Sequence, residues 1–237
     1  MKTLRFLLIL APLGLVSLSA QNIVRGPYLQ QGTPESIVVR WRTDVPTDSA
    51  VRFGADPAKL DQEAKTKWKT SEHIMILEGL SPSTKYHYAV GNAAAAIGGE
   101  AGAGSFTTSP QPGTRQPIRT WVIGDAGTAS AKGNEGLQAK VRDAYYTFTG
   151  NRHTDLWLML GDNAYSTGTD AEHQVAVFDL YKDILKKSVV WPTLGNHDAG
   201  SAASITQSGV YYDIFTLPTL GQAGGLMSGT EAYYSFD

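Results

Sequence analysis

The apolar pattern of this chain changes period once, at Pro110-Gln111-Pro112-Gly113, and that change separates what the two parts can fold into. Before it, apolar residues recur at period two or in short β-rich runs at residues 36–43, 49–54 and 72–77. The turn formers Gly32-Thr33-Pro34, Asp44-Val45-Pro46 and Gly54 with Asp56-Pro57 stand between the runs. Short strands spaced in this way predict an antiparallel β-sandwich over residues 22–109. An Ala/Gly-rich insert at residues 91–105 reads as a long flexible hairpin tip, and residues 110–117 as a linker. After the linker, strand-like runs at residues 118–123, 155–160 and 189–194 alternate with helical patterns at 135–148 and 171–187. Such alternation predicts right-handed βαβ units and a parallel sheet covered on both faces. Residues 211–215 read as loop, and 232–236 as the start of a further strand.

The first twenty residues stand apart from both patterns. Lys2 and Arg5 precede an apolar run from Phe6 to Val16, and small residues close the segment at Ser17-Leu18-Ser19-Ala20. This is the layout of a secretory signal peptide, cleaved after Ser19 or Ala20. Pro12 and Gly14 interrupt the run, which is shorter than the roughly 20 residues of a spanning helix. The expected location is secreted or periplasmic, with no stable membrane insertion once the leader is removed. Removing it takes away Lys2 and Arg5, so the formal net charge moves from −2 to −4. No global positive field then exists to collect nucleic acid. With no cysteine in the chain, thiolate metal sites, disulfides and a cysteine nucleophile are all excluded. Any metal must be held by oxygen or imidazole.

Each of the three late strand runs ends in a polar cluster: Gly124-Asp125-Ala126-Gly127, Gly161-Asp162-Asn163-Ala164-Tyr165 and Gly195-Asn196-His197-Asp198. The carboxyl ends of adjacent parallel strands converge on one crevice, where ligands bind. Asp125, Asp162, Tyr165, Asn196 and His197 are therefore expected in one place. Two carboxylates, a phenol, an amide and an imidazole form a hard donor set suited to iron, zinc or manganese. Side by side without a cation, the two aspartates would repel each other.

Two resemblances follow from these residues. Leu80-Ser81-Pro82-Ser83-Thr84-Lys85-Tyr86-His87-Tyr88 resembles the Leu-x-Pro-x-Thr-x-Tyr-x-Tyr stretch of fibronectin type III domains, which makes Tyr86 the corner tyrosine. The three polar clusters resemble the first three of five ordered blocks of the metallophosphoesterases, and Tyr165 points within them to the purple acid phosphatases. That family also has bacterial and plant members with a fibronectin-like N-terminal domain. The resemblance implies an α/β catalytic domain at residues 118–237 and a dinuclear centre of Fe(III) with Zn(II), Mn(II) or Fe(II). By the same resemblance Asp125 and Tyr165 would bind the ferric ion, Asp162 would bridge, and Asn196 would bind the divalent ion. His197 would contact the substrate phosphate, with Asp198 orienting its ring.

The implied activity is hydrolysis of small phosphate monoesters. The alternatives are a phosphodiesterase or nucleotidase of the same superfamily, or a non-catalytic extracellular β-sandwich module. The family's fourth and fifth blocks, Val-x-x-His and Gly-His-x-His, have no counterpart, since no histidine follows His197. By that count the ferric position keeps three of four expected donors and the divalent position two of four. The sequence thus reads as the N-terminal part of a longer protein with an incomplete catalytic domain. His73 and His87 read as solvent-facing sheet residues, and His153 and His173 as surface residues.

Overall fold

The computed structural model describes residues 21–128 and 136–237. The predicted leader and the expected helix start at Glu135 lie outside the described residues. No helix among the described residues is long and apolar enough to cross a membrane.

The N-terminal part is built around one long strand. β2 (Ser36–Gly54) pairs along its whole length with β3 (Gln62–Glu78), from Ser36 opposite Glu78 to Phe53 opposite Gln62. β1 (Ile23–Gln30) pairs with the first half of β2, and β4 (Lys85–Gly91) with its end. β5 (Ala103–Thr107) then pairs with β4. The ladder between β2 and β3 shifts register between Arg42 and Ser49. Asp44-Val45-Pro46, expected as a turn, is instead a bulge within β2. Bulges bend a strand, and Pro46 is tolerated there because the ladder is already interrupted. Bent in this way, β2 and β3 carry the sheet over onto itself, enclosing Trp41, Val51, Phe53, Leu77, Tyr88 and Phe106. The corner expected at Tyr86 is present, its hydroxyl accepting the Ser81 N–H at 3.0 Å. The Ala/Gly insert is a compact turn rather than a loose tip: Ile97 is buried and its N–H donates to Val90.

His73 departs from the sequence expectation. It lies opposite Trp41 across the β2–β3 ladder, is fully buried, and stacks on that indole with ring centroids 4.5 Å apart. Cross-strand partners share a face, so a core tryptophan brings its partner inside. Thr43 donates its hydroxyl to Val45 O, which leaves His73 Nε2 as the donor to Thr43 Oγ1 at 2.8 Å. Nδ1 then accepts from Ser49 Oγ at 2.7 Å. The neutral ring is satisfied, and burial pulls its pKa down to about 4. Between the ordinary value near 6.5 and this lowered one, the unfolded chain binds a proton that the folded chain refuses. Stability is therefore expected to fall as pH drops through that window, by on the order of 2 kcal/mol. Urea denaturation from pH 7 to pH 4 checks this, and His73→Gln should flatten the profile there.

In the C-terminal part, β6 (Thr120–Ile123), β7 (Leu156–Met159) and β8 (Val189–Pro192) form a parallel sheet. β6 connects to β7 through α1 (Leu137–Thr149). β7 connects to β8 through α2 (Asp170–His173), a π-helical stretch at Gln174–Asp179, and α3 (Lys182–Leu185). The second helix predicted as continuous is thus broken. β8 also pairs in parallel with β1, Leu29 opposite Val189, so both parts share one sheet in the order β5-β4-β2-β1-β8-β7-β6.

The strands run β8-β7-β6, so both crossovers step in the same direction and, being right-handed, lie on the same face. That face carries Trp121, Trp157 and Val190, packed against Val177, Tyr181 and Ile184. The expectation of helices on both faces fails for this reason. On the other face Val122 and Leu160 are exposed, while Trp191 is covered by Phe236, stacked at 3.9 Å. Residues 232–236 therefore form an irregular cover and not a strand, with Tyr234 donating its hydroxyl to Pro192 O at 2.7 Å. Residues 211–215, expected as loop, mostly belong to α4 (Val210–Ile214), which buries Tyr211 and Ile214 against Trp157's side of the sheet.

Candidate metal centre

Three loops leave the carboxyl ends of β6, β7 and β8 and are tied together by their own backbones. Asp125 N donates to Gly161 O at 3.1 Å, Gly127 N to Asp162 O at 3.1 Å, and Tyr165 N to Gly127 O at 2.9 Å. The third loop closes on the second so tightly that a Cβ at Gly195 would lie 2.0 Å from Asp162 N. Only glycine permits that approach. Asp125 and Asp162 have φ of 52° and 53°, in the left-handed region that non-glycine residues enter at a cost. Backbone held this way concentrates at functional sites. Here it turns both carboxylates from the strand axis toward one point.

That point is the Tyr165 hydroxyl, 2.9 Å from Asp162 Oδ2 and 3.2 Å from Asp125 Oδ1. One phenolic proton serves two carboxylates. Burial, with Asp162 and Asp125 beside it, pushes the phenol well above its usual pKa. The other Asp162 oxygen, Oδ1, accepts the His197 N–H at 3.0 Å. The His197 ring lies against the Tyr165 ring with centroids 4.4 Å apart. Its Nδ1 is 2.6 Å from Ser166 O, so the proton sits on Nδ1 and Nε2 is the nitrogen available to a ligand. Asn196 is exposed between Gly195 and His197, both of which approach Asp162. All five residues expected to converge therefore come from loops in mutual contact.

Asp198 is a correction. It does not touch the His197 ring, whose orientation is set by the Ser166 carbonyl. Its carboxylate is fully buried and accepts the backbone N–H groups of Asn163, Ala164 and Gly195 and the Asn163 side-chain amide, at 2.8 to 3.1 Å. Three converging backbone donors satisfy a buried carboxylate better than one imidazole could. Asp198 is thus the clasp between the second and third loops.

Sequence reasoning also misplaced His173, which is fully buried behind the clasp. It missed Glu172, which accepts N–H bonds from Ser166, Thr167 and Thr169 and so fixes the chain that follows Tyr165. A signal for Glu172 was present: Thr169-x-x-Glu172 is a capping box, and both of its bonds form. His153 is exposed, as expected of a surface residue.

The donors suit a cation where Asp125, Asp162 and Tyr165 meet, since two carboxylates sharing one phenol is an arrangement that positive charge would relieve. A second position would have Asp162 and Asn196. Among the described residues no group of three or more histidine, aspartate or glutamate side chains forms a metal cluster.

The comparisons with known proteins agree with this architecture. Residues 25–108 match the family model of the purple acid phosphatase N-terminal domain. No curated protein matches the chain. Among solved structures, that of PhoD aligns with a TM-score of 0.57 and 13% identity, covering 95% of this chain and 50% of that one. Purple acid phosphatase PPD1 from yellow lupin (Lupinus luteus) seeds aligns with a TM-score of 0.55 and 19% identity, covering 86% and 42%. This chain spans half or less of the length of those structures, and at such identities the likeness is one of fold. The class is a β-sandwich joined through a shared sheet to an α/β layer. Residues 25–108 are similar to the purple acid phosphatase N-terminal domain, and the fold of the chain as a whole resembles that of the lupin enzyme.

Proposed function

We propose that this chain carries part of the active site of an exported, metal-dependent phosphatase that hydrolyses small phosphate monoesters. The observation behind the reading is the Tyr165 hydroxyl set between the Asp125 and Asp162 carboxylates at the ends of two parallel strands. Asp125, Asp162 and Tyr165 would hold ferric iron, and Asp162 with Asn196 would contribute to a second position for zinc, manganese or ferrous iron. When bound, such a pair acidifies water and neutralises phosphate oxygens.

The chain's own residues supply the rest. Asp162 faces both positions, one oxygen toward Tyr165 and the other toward the third loop. His197, its Nδ1 proton fixed by Ser166, presents Nε2 to a phosphate oxygen and holds a proton there when protonated. Asp198 keeps the loops at their spacing, and the leader at residues 1–20 directs export.

Turnover of p-nitrophenyl phosphate by protein loaded with ferric iron and zinc or manganese tests the reading. Metal-dependent hydrolysis is expected, and Asp162→Asn should abolish it. Equal rates in variant and wild type would remove the proposed site.

A further inference from the structure

The geometry points to His173 as a positioning residue of the strand-end site: it anchors the chain after Tyr165 and presents its second nitrogen to the Asp198 clasp. This rests on the reading of Asp125, Asp162, Tyr165 and Asn196 as a cation site. His173 Nδ1 is 3.0 Å from Gly168 O and 3.2 Å from Thr169 O. Both are acceptors, so the Nδ1 proton is fixed. Nε2 faces Asp198 Oδ1 at 3.5 Å, buried and without a hydrogen bond, and it attracts that carboxylate only when the ring carries a second proton there. Both side chains are fully buried. An orphaned buried nitrogen is rare and calls for an explanation, since an apolar side chain would fill the same space without that cost. The explanation here is what the nitrogen faces, a carboxylate on which three backbone N–H groups of the second and third loops converge.

The surroundings make the contact a relay. Gly168 packs so closely on the third loop that a Cβ there would lie 2.5 Å from Asp198 Cα. On the other side, α2 is tied to the sandwich: Arg25 pairs with Asp170 at 2.9 Å and donates to Gln174 at 2.7 Å, and Arg42 donates to both Asp170 oxygens. His173 is therefore held between a fixed helix turn and the clasp. Any movement of its ring is transmitted to the spacing between Asp162 and Asn196. Partners one shell removed from a metal typically govern affinity by about 10- to 100-fold.

Ferric-ion binding by the full chain, followed through the absorption of a Tyr165 phenolate–iron pair, tests this, with amide hydrogen exchange on metal-free protein beside it. His173→Asn keeps a polar group near Gly168 and withdraws the nitrogen facing Asp198, whereas His173→Gln extends an amide toward Asp198. The Asn variant should bind ferric ion about 10- to 100-fold more weakly. It should also exchange the Asn163, Ala164 and Gly195 amides about tenfold faster or more, while the Gln variant stays near wild type. Wild-type affinity and exchange in the Asn variant would overturn the proposal and leave the cation site standing. Equal losses in both variants would reduce His173 to a space-filler and overturn it as well. If the wild type binds no ferric ion, the cation reading itself fails. Exchange then decides alone, and unchanged protection of those three amides in His173→Asn would refute the positioning role.

Discussion

Asp170→Asn is expected to lower the thermal midpoint of the protein by roughly 6 to 12 °C. Arg25 has a fully buried side chain, lies over the Phe178 ring at 4.4 Å, and has Asp170 as its counter-charge at 2.9 Å. Arg42 engages the same carboxylate through two N–H groups at 2.7 and 2.8 Å and also pairs with Glu72. Removing the shared charge leaves a guanidinium in the interior without compensation. Because Asp170 is itself partly exposed, the loss is set at about 3 kcal/mol, the lower end for breaking a buried pair. The pH dependence carries a sign. Hydrogen bonding to Arg42, and then to Arg25, holds the Asp170 carboxyl well below the usual carboxylate range. Its contribution is therefore complete above the unfolded value near 3.9 and is lost as pH falls toward the folded one. Wild type and variant should differ fully at pH 7 and converge only in strong acid, as calorimetry would show.

The second large effect is expected from a single methyl group. In Gly195→Ala the new Cβ would stand 2.0 Å from Asp162 N and 2.2 Å from Asp162 Oδ1. Neither atom has room to yield, because Asp162 is held by the Gly127 N–H on its carbonyl and by the His197 N–H on its carboxylate. Gly195 has no positive φ, so alanine is conformationally allowed and the obstacle is contact alone. The third loop must retreat by about 1 Å, taking Asn196 and His197 with it. Overpacking of this kind costs about 1 to 3 kcal/mol. A displacement of that size at a catalytic group lowers turnover about 100-fold. Gly136→Ala, where a Cβ meets nothing, is the control that should change neither. Phosphate-ester turnover and urea unfolding on both variants check the pair.

The strand-end clusters were legible in the sequence because each follows an apolar strand run, and a parallel sheet places such ends together whatever its side-chain detail. Tyr86 at its corner was legible through the fibronectin-like stretch at residues 80–88. What escaped was set by partners distant in sequence. His73 follows the alternation of Leu77 and Met75, both buried, yet only its pairing opposite Trp41 shows that a histidine belongs inside. Residues 62–70 of β3 carry Lys65, Lys67 and Lys69 on an edge strand, where charge protects the edge and erases the hydrophobic pattern. The pairing of β1 with β8 joins residues far apart in the chain and leaves no periodic trace. Asp198 was read through the family resemblance, and His173 by the polarity of its type. Their burial comes from the closure of two loops at Gly168 and Gly195, where the absence of a side chain is itself the signal.

A cation held where Asp125, Asp162 and Tyr165 meet is tested most directly by ferric-ion titration of the wild type beside Tyr165→Phe. The wild type should develop a phenolate-to-iron absorption band that saturates as the site fills, and Tyr165→Phe should lose the band entirely. No band in the wild type, or the same band in the variant, would contradict the assignment of this site.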